Sequence, residues 1–285
     1  VLTASAITSL AISQLSFAAY PEKSIRLVVP FATGGTSEIV ARSVANSLST
    51  SLGQSVYVDN KPGGAGNIAM EEVKRANPDG YTLILGHVGT LAVNPALFGS
   101  KLPYDPNKDF APVTLVAKVP NVIAVSSKSS FKTLADLVAD AKKNPGKINY
   151  GSAGNGSAGH LAMEYFSAVA GIDLVHVPYK GSGPMLTDLI GGQIQATFNG
   201  LPSLMGQISG GALRPLAVGS AERSKVLPKV PTIAESGYKG FETSQWYGIM
   251  APAGTPKPII DRLQKDIAKS LKNKEDTKRM IEDGA

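Results

Sequence analysis

The stretch Gly154-Asn155-Gly156-Ser157-Ala158-Gly159 has G-x-G-x-x-G spacing, follows a predicted strand and opens a predicted helix. In a dinucleotide site this spacing lays a pyrophosphate on bare amides, and an acidic residue ending the next strand holds the ribose. Here the next strand, Leu174-Val175-His176-Val177, runs into Pro178, and Asp173 precedes it. The nucleotide reading lacks a required part. What remains is general: free N–H groups at a helix N-terminus bind an anion, and a carboxylate serves as well as a phosphate. Phe31 and the loop Ala32-Thr33-Gly34-Gly35-Thr36-Ser37 repeat the arrangement. A third loop, Gly86-His87-Val88-Gly89-Thr90, is again small and hydroxyl-bearing. None of the three carries Lys or Arg. An anion there is expected to be held by amides, hydroxyls and ordered water rather than by a salt bridge.

Catalytic constellations are hard to assemble from the remaining residues. His87, His160 and His176 show no metal-ligand spacing, and the chain has no cysteine, so neither a metal site nor a cofactor is expected. Ser157 and His160 lie one helical turn apart, which leaves a Ser–His hydrolase as the alternative reading. Against it, Asn155 stands where a G-x-S-x-G elbow has its first glycine, and no carboxylate is evidently placed to orient the histidine. The expectation is a binding protein, not an enzyme.

The elements that must position these loops alternate between strand and helix. Ile25 to Val29 is a β-branched run, followed by a helix with Val40, Val44, Leu48 and Leu52 at i+4 spacing, which Thr36 or Ser37 can cap and Gly53 ends. Strands follow at Val56 to Val58 and Tyr81 to Leu85. A second alternating set contains strand Val122 to Val125, a helix opened by the capping box Thr133 to Asp136, and strand Ile148 to Tyr150. It continues through helix Ser157 to Ala170, strand Leu174 to Val177, helix Pro184 to Ile190, and strands Ile194 to Phe198 and Leu213 to Val218. Strand Tyr247 to Met250 and helix Pro258 to Leu271 close the chain. Two such blocks predict two α/β lobes with a cleft between them as the ligand site.

Composition agrees with that class. The 285 residues suit two domains, and the 43% apolar and 18% charged fractions belong to a globular chain. The net charge of +6 is scattered and only 6% of residues are aromatic, so no basic, ring-studded stripe for nucleic acid is present. Residues 1–19 form an uncharged apolar and small-residue run ending in Ser16-Phe17-Ala18 before Ala19. This matches the apolar and cleavage regions of a secretory signal whose basic start is missing, and predicts export. The chain stops at Gly284-Ala285 without a terminating feature, which suggests a missing tail.

Over residues 20–285 the sequence resembles the extracytoplasmic solute receptors of the tripartite tricarboxylate transporter family, the Bug proteins. The resemblance rests on an ordered set of segments. In the first half these include Ile25 to Phe31, Gly34-Gly35, Asn60-Lys61-Pro62-Gly63, Pro78-Asp79-Gly80-Tyr81-Thr82-Leu83 and Asp109-Phe110-Ala111-Pro112-Val113. Later come Tyr150-Gly151-Ser152, Gly159-His160-Leu161, Val177-Pro178-Tyr179-Lys180-Gly181, Gly191-Gly192-Gln193 and Pro252-Ala253-Gly254-Thr255-Pro256.

The resemblance implies a type II periplasmic-binding-protein fold, with two lobes joined by crossover strands and closing on a ligand. The lobes are expected to divide as residues 20–118 with 244–285, and 119–243. The resemblance implies carboxylate capture by Phe31 to Ser37 and by Ser152, Ala153, Gly154, Asn155, Gly156 and Ser157. With the three-loop reading, His87, Thr90, His160, Tyr179 and Asn199 complete the expected set. Glu38 stands where the family usually has Asp, and Asn199 where an acidic residue is frequent, which favours a plain mono- or dicarboxylate over an amino acid. Tyr179, Phe198 and Trp246 are candidates to flank an aromatic acid. The implied setting is periplasmic. The implied partners are membrane permease subunits, with no nucleic acid and a monomeric receptor. A receptor that signals without transport shares the same site.

Overall fold

The computed structural model describes residues 20–285; the expected export segment, residues 1–19, lies outside the described residues. The first strand–helix units are β1 (Ile25–Val29), α1 (Thr36–Leu52), β2 (Val56–Asn60), α2 (Asn67–Lys74), β3 (Thr82–His87) and α3 (Asn94–Phe98). A 17-residue strand β4 (Phe110–Ser126) then leads to α4 (Leu134–Lys143), β5 (Asn149–Ser152), α5 (Ala158–Ala170), β6 (Val175–Pro178) and α6 (Ser182–Gly191). The remaining elements are β7 (Ala196–Gly200), α7 (Leu201–Ser209), β8 (Leu213–Val218), β9 (Ser244–Pro252), α8 (Lys257–Lys272) and α9 (Lys274–Glu282).

The strands run in the order β2-β1-β3-β9-β4-β7-β5-β6, with β8 also paired to β4. β1 pairs parallel with β2 and β3, and β5 pairs parallel with β6 and β7. These parallel groups are the centres of two lobes, joined through the long antiparallel strands β4 and β9. From Phe110 to Pro120, β4 pairs with β9; from Asn121 to Ser126 it pairs with β7 and β8. The chain therefore crosses between lobes at Pro120-Asn121, and the return crossing lies beside it, where Ser244 pairs with Pro120. The fold is the two-lobed type II arrangement.

Each lobe's sheet is covered on both faces. Leu27 and Val29 pack with Val40, Val44 and Leu48 of α1 and with Leu263 and Ile267 of α8. Val28, between them, points the other way onto Met70 and Val73 of α2. This explains why Leu27-Val28-Val29 reads as a continuous apolar run instead of an alternating one. In the second lobe, Tyr150 and Phe198 pack with Phe166 of α5, while Met185 and Leu189 of α6 pack with Val122 and Leu204 on the opposite face.

Several local expectations are corrected. The cap of α1 is Gly35, not Thr36 or Ser37, which occupy its first turn; Gly35 is extended (φ −99°, ψ 168°) and brings no capping side chain. α6 starts at Ser182, because Gly181 (φ 155°) ends the preceding turn and Pro184 is tolerated inside the first turn. β7 is shifted two residues later than expected, which places Asn199 on the strand. The short run Val122 to Val125 is the C-terminal end of β4 and Tyr247 to Met250 the middle of β9; the polar and proline-containing remainder of each is strand only through tertiary pairing.

Candidate functional site

In a parallel strand–helix unit the strand's C-terminal end and the following helix's N-terminal end lie on the same edge of the sheet. The two lobes turn these edges towards each other. Between them lies a cavity of about 30 Å³, lined by Phe31, Ala32, Gly35, Thr36, Ser37, His87, Gln245 and Tyr247 from one side, and Ala153, Ser157, Ala158, Gly159, Ser182 and Asn199 from the other. Three helices begin at this cavity, α1 after Gly35, α5 after Ser157 and α6 after Gly181, and a fourth, α7, begins beside it after Gly200. Their N-terminal dipole ends add up at one place. Three of the four have no side-chain cap, because their cap residue is glycine. Pro184 and Pro202 have no N–H and the Glu38 N–H bonds Gly35 O; the other first-turn amides lack a capping side chain. No lining residue is Lys, Arg, Asp or Glu. The cavity is positive by its dipoles and neutral in its side chains.

His87 supplies the sharpest single donor. Its Nδ1 accepts the Thr90 backbone N–H at 3.0 Å, so the neutral ring carries its proton on Nε2. Burial pushes the imidazole down to about 4, which keeps it neutral near pH 7. Nε2 is buried and has no hydrogen-bond partner among the described residues. Leaving such a donor unpaired costs about 1–3 kcal/mol, and an acceptor atom in the cavity would relieve it. The ring is fixed between Phe31 (centroids 4.7 Å apart) and Tyr247 (6.1 Å). Tyr247, its hydroxyl held well above the usual range by burial, donates to Gln245 Oε1, and Gln245 Nε2 donates to Asn121 Oδ1 at 2.5 Å. This buried chain ties the cavity wall to both crossing strands.

The other lining groups are oriented by their own bonds. Glu38 Oε2 accepts the Gly34 N–H at 2.6 Å, and Oε1 accepts from Arg42 at 2.8 Å. That carboxylate shapes the first loop while its charge is matched by Arg42, outside the cavity lining. Ser157 Oγ accepts the His160 backbone N–H at 3.3 Å as the cap of α5. Asn199 Nδ2 donates to Ser182 Oγ at 2.9 Å and to Ser203 Oγ at 3.2 Å.

The lobes touch around the cavity. Thr36 Oγ1 donates to Gly200 O at 3.3 Å, and a Cβ on Gly89 would stand 2.9 Å from Gly156 O of the opposite lobe. A Cβ on Gly35 would stand 3.3 Å from Ser182 Oγ. Larger grooves lie elsewhere. One of about 760 Å³ at the cleft mouth is lined by Gly154, Asn155, Tyr179 and Lys180 and shares Phe31 and Ala153 with the cavity.

Of the expected site residues, Phe31, Ala32, Gly35, Thr36, Ser37, His87, Ala153, Ser157 and Asn199 line the cavity. Gly154, Asn155 and Tyr179 face the outer groove. Thr33, Gly34, Thr90, Ser152, Gly156 and His160 lie behind or beside the loops; Thr90 binds His87, and Gly34 binds Glu38. Ser157 and His160 are not joined side chain to side chain, since the serine oxygen caps the helix and His160 Nδ1 accepts from Gly156 N–H. Phe198 is fully buried in the second-lobe core, and Trp246 is not part of the cavity wall. Besides Ala158 and Gly159, which directly follow the expected loop, the sequence reading missed Ser182, Gln245 and Tyr247. Gly181-Ser182, a glycine before a hydroxyl at a helix start, was an available signal for the first; the other two depend on where β9 crosses.

The fold and this cleft define a two-lobed solute-binding protein. Residues 40–284 match the family described as tripartite tricarboxylate transporter family receptor. The chain belongs to that family. The protein BugT of Bordetella pertussis is 39% identical over 256 residues, covering 90% of this chain and 78% of BugT. Among solved structures, R. palustris Rpa4515 with adipate is 41% identical (TM-score 0.90), covering 93% of this chain and 88% of that one. MatC (Rpa3494) from Rhodopseudomonas palustris with bound malate is 32% identical (TM-score 0.88), covering 93% and 90%.

Proposed function

We propose that this protein is a periplasmic receptor that binds a small organic carboxylate between its lobes and delivers it to the membrane permease subunits of a tripartite transporter. The observation that carries the reading is the convergence of three helix N-termini and the unpartnered His87 Nε2 on one cavity without a charged side chain. Free amides, hydroxyls and a neutral imidazole N–H are donors, and a carboxylate is a pure acceptor. A cation or an amine would meet the positive ends of the dipoles and find few acceptors. The adipate and malate of the two R. palustris relatives support an aliphatic di-acid in particular.

In this reading Phe31, Ala32, Gly35, Thr36, Ser37 and His87 contact the acid from one lobe, and Ala153, Ser157, Ser182 and Asn199 from the other. The lobes divide as residues 20–118 with 244–285 against 119–243. The cavity of about 30 Å³ accommodates the centres of roughly two water molecules, so a di-acid enters with the lobes apart and seats as they close. Capture and closure are then one event. A thermal-melt screen over di- and tricarboxylates, aromatic acids and amino acids tests the reading. The matching acid at 100 times Kd stabilises by about 2.7 kcal/mol. If only amino acids or cations raise the melting temperature, the carboxylate reading is wrong.

A further inference from the structure

The second-lobe ligand loop is held at both ends by histidines, and the two rings lie on each other. At its start, Ser152 Oγ is 2.7 Å from His176 Nε2. At its end, the Gly156 N–H donates to His160 Nδ1 at 3.2 Å. The imidazoles stack with centroids 4.0 Å apart and planes 27° from parallel, and His176 stacks in turn on Tyr150 at 4.9 Å. The Gly156 bond requires a lone pair on His160 Nδ1. An imidazolium has none, so this contact exists only while His160 is neutral.

Gly156 also takes part in closure: a Cβ on Gly89 of the other lobe would stand 2.9 Å from its carbonyl oxygen, and a Cβ on Gly156 would stand 3.1 Å from Ala65 and 3.5 Å from Asn94. Releasing its amide therefore loosens both the loop and the lobe contact. The groups around the pair are few. Tyr150 faces it from β5 and donates to Glu164, which lies one turn beyond His160 on α5. On the opposite face of the sheet, Tyr179 donates to Asp188 instead. Burial lowers both histidines, and the neighbouring ring lowers His176 further; Glu164 opposes this in both.

We propose that His160 and His176 are positioning residues that make ligand capture proton-sensitive: the neutral stack holds residues 152–156 in shape, and protonation of His160 frees Gly156 and opens the cleft. The proposal rests on the carboxylate-receptor reading only for its consequence in affinity; the coupling itself is read without ligand. NMR titration of the ligand-free protein from about pH 7.5 to about pH 5 should show the Gly156 amide moving with the apparent pKa of the His160 ring. His160→Asn places a non-titrating oxygen near the Nδ1 position and should abolish that movement.

With adipate as probe, wild-type affinity should fall about tenfold per pH unit below that pKa, beyond the fall seen in His160→Asn. The variant subtracts the titration of adipate and of His87. His176→Gln removes the stacked ring and the Ser152 contact, and should move the Gly156 amide already at about pH 7.5. A Gly156 amide that ignores His160, or adipate affinity that falls equally in wild type and His160→Asn, overturns the proposal. Failure of adipate to bind at pH 7.5 counts against the carboxylate reading alone, and the amide titration still decides the coupling.

Discussion

Replacing His87 by Asn isolates the donor on which the site depends most. The asparagine oxygen lies near the position of Nδ1 and can still accept the Thr90 N–H, so the turn from His87 to Thr90 is kept. What disappears is the ring beyond it, including the unpartnered Nε2–H. In the ligand-free protein two effects oppose each other. Removing an unsatisfied buried donor relieves about 1–3 kcal/mol, while losing the ring between Phe31 and Tyr247 costs a similar amount in packing. The melting temperature should move little. The liganded protein has no such compensation. A hydrogen bond to a charged acceptor contributes about 1.5–3 kcal/mol, so Kd for the bound acid should rise by about 10- to 150-fold. Isothermal titration calorimetry and thermal melts on the same samples read both numbers. A variant that melts normally and binds with wild-type affinity would show that Nε2 does not meet the ligand.

Gly35→Ala introduces no backbone strain at φ −99° but places a methyl 3.3 Å from Ser182 Oγ across the cleft. Affinity should drop several-fold while stability falls by about 1 kcal/mol or less, and small-angle scattering should show a more open liganded form. Ser157→Ala removes the α5 cap and a cavity hydroxyl; an urea melt should show a loss of about 0.5–2 kcal/mol with weaker acid binding. An ester-hydrolysing activity abolished by that substitution would restore the hydrolase reading. Stability should also depend on pH with a defined sign. His87 and His176 are held near 4 and His160 is lowered, against about 6.5 when unfolded, so the unfolded chain takes up protons first. These groups leave stability flat above about pH 6.5 and reduce it as pH falls towards 4, which denaturant midpoints at successive pH values would show; a midpoint that rises on acidification contradicts the assignment.

The strand–helix alternation was legible because β1, α1 and their counterparts bury apolar residues at fixed spacing, and the glycine-rich loops were legible as helix starts. The extent of β4 and β9 was not. Lys118, Pro120 and Gln245 have no local reason to be strand; they extend because the two crossings pair with each other. For the same reason Gln245 and Tyr247 could not be placed in a cavity wall before the lobes were positioned. His176 read as part of a strand that failed a nucleotide pattern, and only the fold brings it against His160, from which it is separated by a helix and a turn.

Capture of a carboxylate through neutral donors, in a cavity with no cationic side chain, would separate the acid from its neutral and cationic analogues. Calorimetric titration with adipate, its diamide and the diamine of equal length tests this most directly. The di-acid should bind saturably and neither analogue should bind. Binding of the diamide as tight as that of adipate, or binding of the diamine, would contradict it.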